Sequence, residues 1–239
     1  VTPSDPERPR MIADLQWHSN GIWSMDCVDE VIVTGSKDKS VVSAKITPTG
    51  MRKERAFDDV FEKEVKHVRL RKASGGVTQF AAASKDGDVA VVDLRASASS
   101  GGVLRISGAH GGRESYSVEW HPAEEHQFVT AGLCDAVKLW DVRSLKSPLR
   151  QYRGHVAANN TKPLKKLFKP VFARHGARLV TSGQGTHHLT VYDTASAAIV
   201  CRGDMPDEIT ALAAISDADD GVHVAAAQEN GVVKLLHCS

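Results

Sequence analysis

An all-β propeller of four-stranded blades is the architecture this sequence predicts, and three observations carry the prediction. A motif of small-residue strand, polar turn and apolar strand recurs five times along the 239 residues. Measured at Ala44, Val92, Trp140, Tyr192 and Leu236, the spacings are 48, 48, 52 and 44 residues. A mean period of 48 residues built only from short strands points to a propeller rather than a sandwich. Third, no segment shows helical periodicity over ten or more residues.

The recurrences are "TGSKDKSVVSAK" (34–45), "AASKDGDVAVVD" (82–93), "TAGLCDAVKLWD" (130–141), "SGQGTHHLTVYD" (182–193) and "AAQENGVVKLLH" (226–237). Blade three illustrates the unit, with strands expected at Tyr116–Trp120, Gln127–Ala131, Val137–Val142 and Leu149–Arg153. Residues 1–10 are polar and proline-rich and read as a flexible segment. A strand over 11–17 precedes the first repeat, and blades follow at about 18–58, 59–109, 110–154, 155–203 and 204–239. The Ser/Gly stretch Ser97–Gly102 reads as a flexible connection between strands. With three strands in the last repeat, the strand at 11–17 supplies the twentieth and could close a ring.

Over about residues 11–239 the chain resembles the WD-repeat family. Trp140-Asp141 is the literal dipeptide, and Tyr192-Asp193 and Val92-Asp93 are variants of it. Gly154-His155 is the family's glycine–histidine element, with Ala109-His110 and Trp17-His18 as weaker versions. The family's turn aspartate, six residues before the tryptophan position, is matched by Asp38 and Asp86. Cys134 stands there in blade three, Thr186 in blade four and Asn230 in blade five. The resemblance therefore implies a side-chain hydrogen-bond network that is incomplete and weak in most blades. It also implies a ring of seven blades, so these five repeats read as part of a longer parent or, less favoured, as a five-bladed ring.

Composition excludes several functions. Thirty basic and twenty-nine acidic residues leave a formal charge of +1, so no global field marks a nucleic-acid or membrane binder. No apolar run approaches the roughly 20 residues of a membrane helix. Cys27, Cys134, Cys201 and Cys238 are widely spaced, which favours reduced thiols and a cytoplasmic or nuclear location over a disulfide or zinc site. No phosphate loop or nucleophile elbow is present. Gly183-Gln184-Gly185 lacks a following helix, and His187-His188 point to opposite faces of a strand. His121 and His126, beside Glu124 and Glu125, read as ordinary turn residues. No catalytic residue, metal or cofactor is expected.

A propeller offers binding surface instead. The loops entering each blade and those joining its second and third strands share one face, which places Trp23, Lys37, Lys85, Arg113, Tyr116, Leu133 and Glu229 together as candidate protein contacts. Packing at the start of a blade is the competing role for Trp23 and Tyr116. Lys162, Lys165, Lys166 and Lys169 form a basic loop before blade four, with Arg174 beyond. Only Phe168 and Phe172 interleave with it, so a solvated loop is favoured over RNA binding. The runs 51–55 and 66–72 are read as solvated in the same way.

One local signal is sharper. Asp93-Leu94-Arg95 and Asp141-Val142-Arg143 place an arginine three residues after the tryptophan position in consecutive blades. These tandem Asp-x-Arg motifs resemble the DWD boxes of substrate receptors for cullin-4 ubiquitin ligases. That resemblance implies docking on the ligase's propeller adaptor through Arg95 and Arg143, held by Asp93 and Asp141. The expected function is a scaffold for other proteins, with a ligase receptor and an RNA-associated propeller as alternatives.

Overall fold

The computed structural model describes residues 15–96, 102–154, 169–182, 187–216 and 222–238. They form five antiparallel sheets in chain order. Blade one contains β1 (Ile22–Val28), β2 (Val31–Ser36), β3 (Val41–Thr47) and β4 (Gly50–Phe57). Blade two contains β5 (Val65–Ala73), β6 (Gly76–Ser84), β7 (Val89–Asp93) and β8 (Val103–Ile106). Blade three contains β9 (Ser115–Trp120), β10 (Gln127–Gly132), β11 (Ala136–Asp141) and β12 (Arg150–Arg153). Blade four contains β13 (Val171–Ala173), β14 (Arg178–Ser182), β15 (His188–Asp193) and β16 (Ile199–Asp204). Blade five contains β17 (Ile209–Ser216), β18 (Val222–Gln228) and β19 (Val233–Cys238).

The period of the sequence is the register of these sheets. Ala44, Val92, Trp140, Tyr192 and Leu236 lie opposite Ile32, Phe80, Phe128, Leu179 and Val224, respectively. In blades two to five each such pair sits on the face turned to the preceding blade. Four separate cores result, each shared by two consecutive blades. Between blades two and three, for example, Ala81, Ala83, Val89 and Val91 receive Trp120, Phe128 and Trp140. Small and β-branched residues on one face leave room for aromatic residues on the other, which is how close packing is reached between sheets.

The expected strand over 11–17 is not seen at its described end. Leu15–Trp17 run outside any strand, and 11–14 lie outside the described residues. Blade five accordingly shows three described strands. Among the described residues, the helical structure is one 3₁₀ turn, Arg174–Gly176. No helix there is long and apolar enough to cross a membrane. None of the four cysteines is in a disulfide; three lie in strands, and Cys134 lies in the turn between β10 and β11.

Hydrogen-bond chains stiffen two blades. In blade one, His18 Nδ1 lies 3.0 Å from Asp38 Oδ2 and 2.9 Å from Ser40 Oγ, while Nε2 lies 2.8 Å from Thr34 Oγ1. Burial alone would raise the Asp38 pKa. Hydrogen bonds from the Ser40 hydroxyl and from the Ser40 and Ser19 amides outweigh it and hold the carboxyl well below its usual range.

Blade three corrects the expectation of a weak network. Trp140 Nε1–H donates to Thr130 Oγ1 at 2.9 Å, and Thr130 lies 2.9 Å from His110 Nε2. His110 Nδ1 then meets Cys134 Sγ at 3.0 Å, and the thiol donates to the Ala136 carbonyl at 3.2 Å. A neutral thiol can both accept and donate, so it completes the chain that a carboxylate completes in blade one.

Blade two replaces the chain with hydrocarbon. Glu62 N–H donates to Asp86 as Ser19 N–H does to Asp38, which puts the buried Phe61 at the histidine's station. His155 and Thr186 of blade four lie outside the described residues.

Candidate protein-binding face

Main-chain hydrogen bonds build this face. In four blades the turn between the second and third strands donates an N–H to a carbonyl just before or at the start of the first strand. The bonds are Lys37 to Gly21 and Lys85 to Glu64, each 2.9 Å, then Leu133 to Glu114 at 2.9 Å and Glu229 to Glu208 at 3.0 Å. The residues expected to share a rim are thus tied to it at equivalent stations.

Side chains differ between the stations. Trp23 is 54% exposed, and the Lys66 ammonium lies 4.4 Å from its ring centroid. Lys66 also pairs with Glu64, which lies 3.8 Å from Lys85 as well. The hydrogen bond from Lys66, aided by the charges of Lys85 and Lys37, keeps the Glu64 pKa low. Half-buried Tyr116 donates its hydroxyl to Glu114. Burial first, then that carboxylate, pushes the phenol pKa upward. Arg113 reaches the Leu133 carbonyl at 3.1 Å. Lys37 and Glu229 are exposed, and Leu133 is half-buried. Tryptophan, tyrosine and arginine, the residue types present at these stations, are those enriched among protein-binding hot spots.

The run 66–72 is not the solvated run the sequence suggested. It is strand β5, with alternate residues taking alternate roles. Arg69 lies 3.6 Å from Asp26 and donates to Glu119 at 2.9 Å, linking three consecutive first strands. Arg71 is 8% exposed and bonds Gln79 at 2.6 Å and Glu125 at 3.3 Å. His67 is buried against the Val118 backbone. The alternation Lys-His-Val-Arg-Leu-Arg-Lys carried that signal, but its partners lie 50 or so residues away.

On the opposite rim, Arg95 holds Asp93 through Nε at 3.0 Å and Nη2 at 2.7 Å. Arg143 holds Asp141 in the same way, at 2.9 and 2.6 Å. Each carboxylate also accepts the arginine's own amide, and these bonds lower both carboxyl pKa values. The arginine side chains remain 69% and 66% exposed. Blade four has Ala195 at this station, and its Asp193 is held by Arg178 and Ser196, both at 2.7 Å.

The remaining sites carry little chemistry. His121 lines a cavity of about 570 Å³ between blades three and four, but its Nδ1 accepts the amides of Ala123 and Glu124. It caps a turn, and burial lowers its pKa. His188 faces the Gly154 carbonyl at 3.3 Å. Lys162, Lys165 and Lys166 lie outside the described residues, and Lys169 is exposed.

Five successive antiparallel blades, their shared register and the tryptophan–threonine–histidine chain define the fold as a WD-repeat β-propeller. No family model matches the chain. It is similar to the ribosome biogenesis protein WDR12 homolog of Ixodes scapularis, with 29% identity over 146 residues, covering 60% of this chain and 32% of the relative. It is also 49% identical over 39 residues to the ribosome biogenesis protein WDR12 homolog of Caenorhabditis briggsae, covering 16% of this chain and 9% of that relative. The chain thus spans about a third of the first relative's length and less of the second's.

Proposed function

We propose that this chain is a non-catalytic scaffold that holds protein partners during ribosome biogenesis, through the rim carrying Trp23, Lys37, Lys85, Arg113, Tyr116 and Leu133. The observation that carries the reading is Trp23, a large aromatic side chain left 54% exposed on a hydrogen-bonded rim with a cation stacked on it. The likeness to two proteins named for ribosome biogenesis supports the setting. Function then lies in rigid presentation, because aromatic anchors held in place lose little entropy on binding. Replacing both Trp23 and Arg113 with alanine should weaken recovery of ribosome-assembly proteins by about thirtyfold or more. Thermal stability should barely change, since exposed substitutions cost within about 0.5 kcal/mol. Full recovery from the double variant would end the reading.

A second reading rests on the matched Asp-x-Arg clamps. Two exposed guanidinium groups, each fixed by its own carboxylate on consecutive blades, suit a partner surface that reads them together. Under this reading the partner is the propeller adaptor of a cullin-4 ligase. The variant Arg95→Ala/Arg143→Ala should then lose adaptor co-purification more completely than either single variant. Undiminished adaptor recovery would leave the clamps as turn-stabilising pairs.

A further inference from the structure

Arginine bridges consecutive blades at one recurring station, and a thiol takes its place in blade four. In the fourth strands, Arg55 lies opposite Ser43, Leu104 opposite Val91, Arg150 opposite Leu139 and Cys201 opposite Val191. These partners are equivalent, each one residue before Ala44, Val92, Trp140 or Tyr192. Arg55 Nη1–H donates to the Ala96 carbonyl at 2.7 Å, and Arg150 Nε–H donates to the Ala195 carbonyl at 2.8 Å. Both accepting turns belong to the following blade, so each arginine crosses from one blade to the next. Leu104 has no polar atom with which to cross.

The shorter Cys201 meets a second cysteine instead. Cys238 ends β19 at the station that Leu94 holds in blade two and Thr194 in blade four. Cys201 and Cys238 pack against the same core between blades four and five, beside Met205 and Val224, and both are half-buried. The two thiols are hydrogen-bonded to each other. Burial first, then that contact, pushes the Cys201 pKa up to about 12. Cys201 therefore keeps its proton, and Cys238 is the sulfur placed to attack. The other two cysteines are placed differently. Cys27 is exposed, and Cys134 is engaged by His110 and the Ala136 carbonyl.

We propose that Cys201 and Cys238 form a reversible disulfide that clasps blade four to blade five when a small disulfide such as oxidised glutathione accumulates. The Cys238 sulfur attacks one sulfur of the small disulfide, whose S–S bond breaks and releases one thiolate. The Cys201 sulfur then attacks the mixed disulfide at Cys238 and releases the second thiolate. The two protein thiols give their protons to the two released thiolates, so the protein loses two electrons and the small disulfide gains them. A covalent crossing then stands where blades one and three use arginine. Because it joins two sheets, it restrains the opening of one blade from the other.

Redox titration tests this. The reduced protein is equilibrated with glutathione buffers under native conditions, quenched in acid and digested for peptide mass spectrometry. The proposal expects a linked Cys201–Cys238 peptide about tenfold or more in excess of glutathione adducts on either residue, because held thiols react as though highly concentrated. Exposed Cys27 should carry the adduct in the same sample, which shows that the reagent is active. Amide exchange in β18 and β19 should slow about tenfold on oxidation and recover on reduction. Stable glutathione adducts on both residues, or linkage to Cys27 or Cys134 instead, would overturn the proposal. So would a linked peptide equally abundant in urea-unfolded chain, or exchange left unchanged by the bond. Cys201→Ser, which cannot resolve the mixed disulfide, should leave glutathione on Cys238, and a bare Cys238 would overturn the order of attack. Cys201→Ala serves as the second variant should Cys201→Ser fail to fold.

Discussion

His67 shows how one side chain joins two blades and makes their union sensitive to pH. Its Nδ1 accepts the Val118 amide at 3.2 Å, and the residue is 2% exposed. Burial, with the positive charges of Arg69 and Lys169, pushes its pKa down to about 3 from an ordinary 6.5. Between those values an unfolded chain takes up a proton that the folded chain refuses, so stability falls as pH drops from 6.5 toward 3. His67→Gln should flatten that part of the profile of melting temperature against pH, while lowering stability somewhat at pH 7. Parallel profiles for the two proteins would show that His67 contributes nothing to acid sensitivity. The depressed carboxyl of Asp38 acts in the same direction at lower pH, losing its contribution as the medium falls below the usual aspartate range.

The turn after β10 is the element on which blade three depends. Gly132 ends that strand, and a methyl group there would stand 2.6 Å from both the Glu114 carbonyl oxygen and His110 Cγ. Gly132→Ala should therefore force apart the hydrogen-bonded turn and the His110–Cys134 contact, costing about 1–3 kcal/mol. Gly75→Ala, where nothing lies within 4 Å, should leave the melting temperature nearly unchanged. Equal melting temperatures for the two variants would contradict this account.

Much of this level was legible in the sequence. In blade three the strand limits fell within a residue of expectation, because turn residues and period-2 alternation are local signals, whereas the strand expected over 11–17 was not seen at its described end. The stations of Asp38 and Cys134 followed from the same register. The roles of Arg69, Arg71 and His67 were hidden because they depend on residues of the next blade, which no window along the chain contains.

At the scale of the molecule, the sequence disclosed the number of repeats but not what lies at either end of the array. Periodicity reports how many times a unit occurs, whereas closure is decided by faces that meet only in space. Val233 looks no different in sequence from Val89 or Val137. Its exposure distinguishes it, and that comes from what packs on it. The separate cores carry the same lesson. Each is owned by two blades, so every blade but the outermost is stabilised twice, and disorder should enter this array from its ends.

The four equivalent main-chain bonds at the rim proposed for partner binding have a consequence for how such a protein changes over generations. An amide–carbonyl bond is indifferent to the side chain it carries, so lysine, leucine and glutamate occupy matching stations without moving the backbone. Specificity can then be rewritten one position at a time while the folding problem stays solved. Lineages could exchange one partner for another by point substitution, with few variants lost to misfolding along the way.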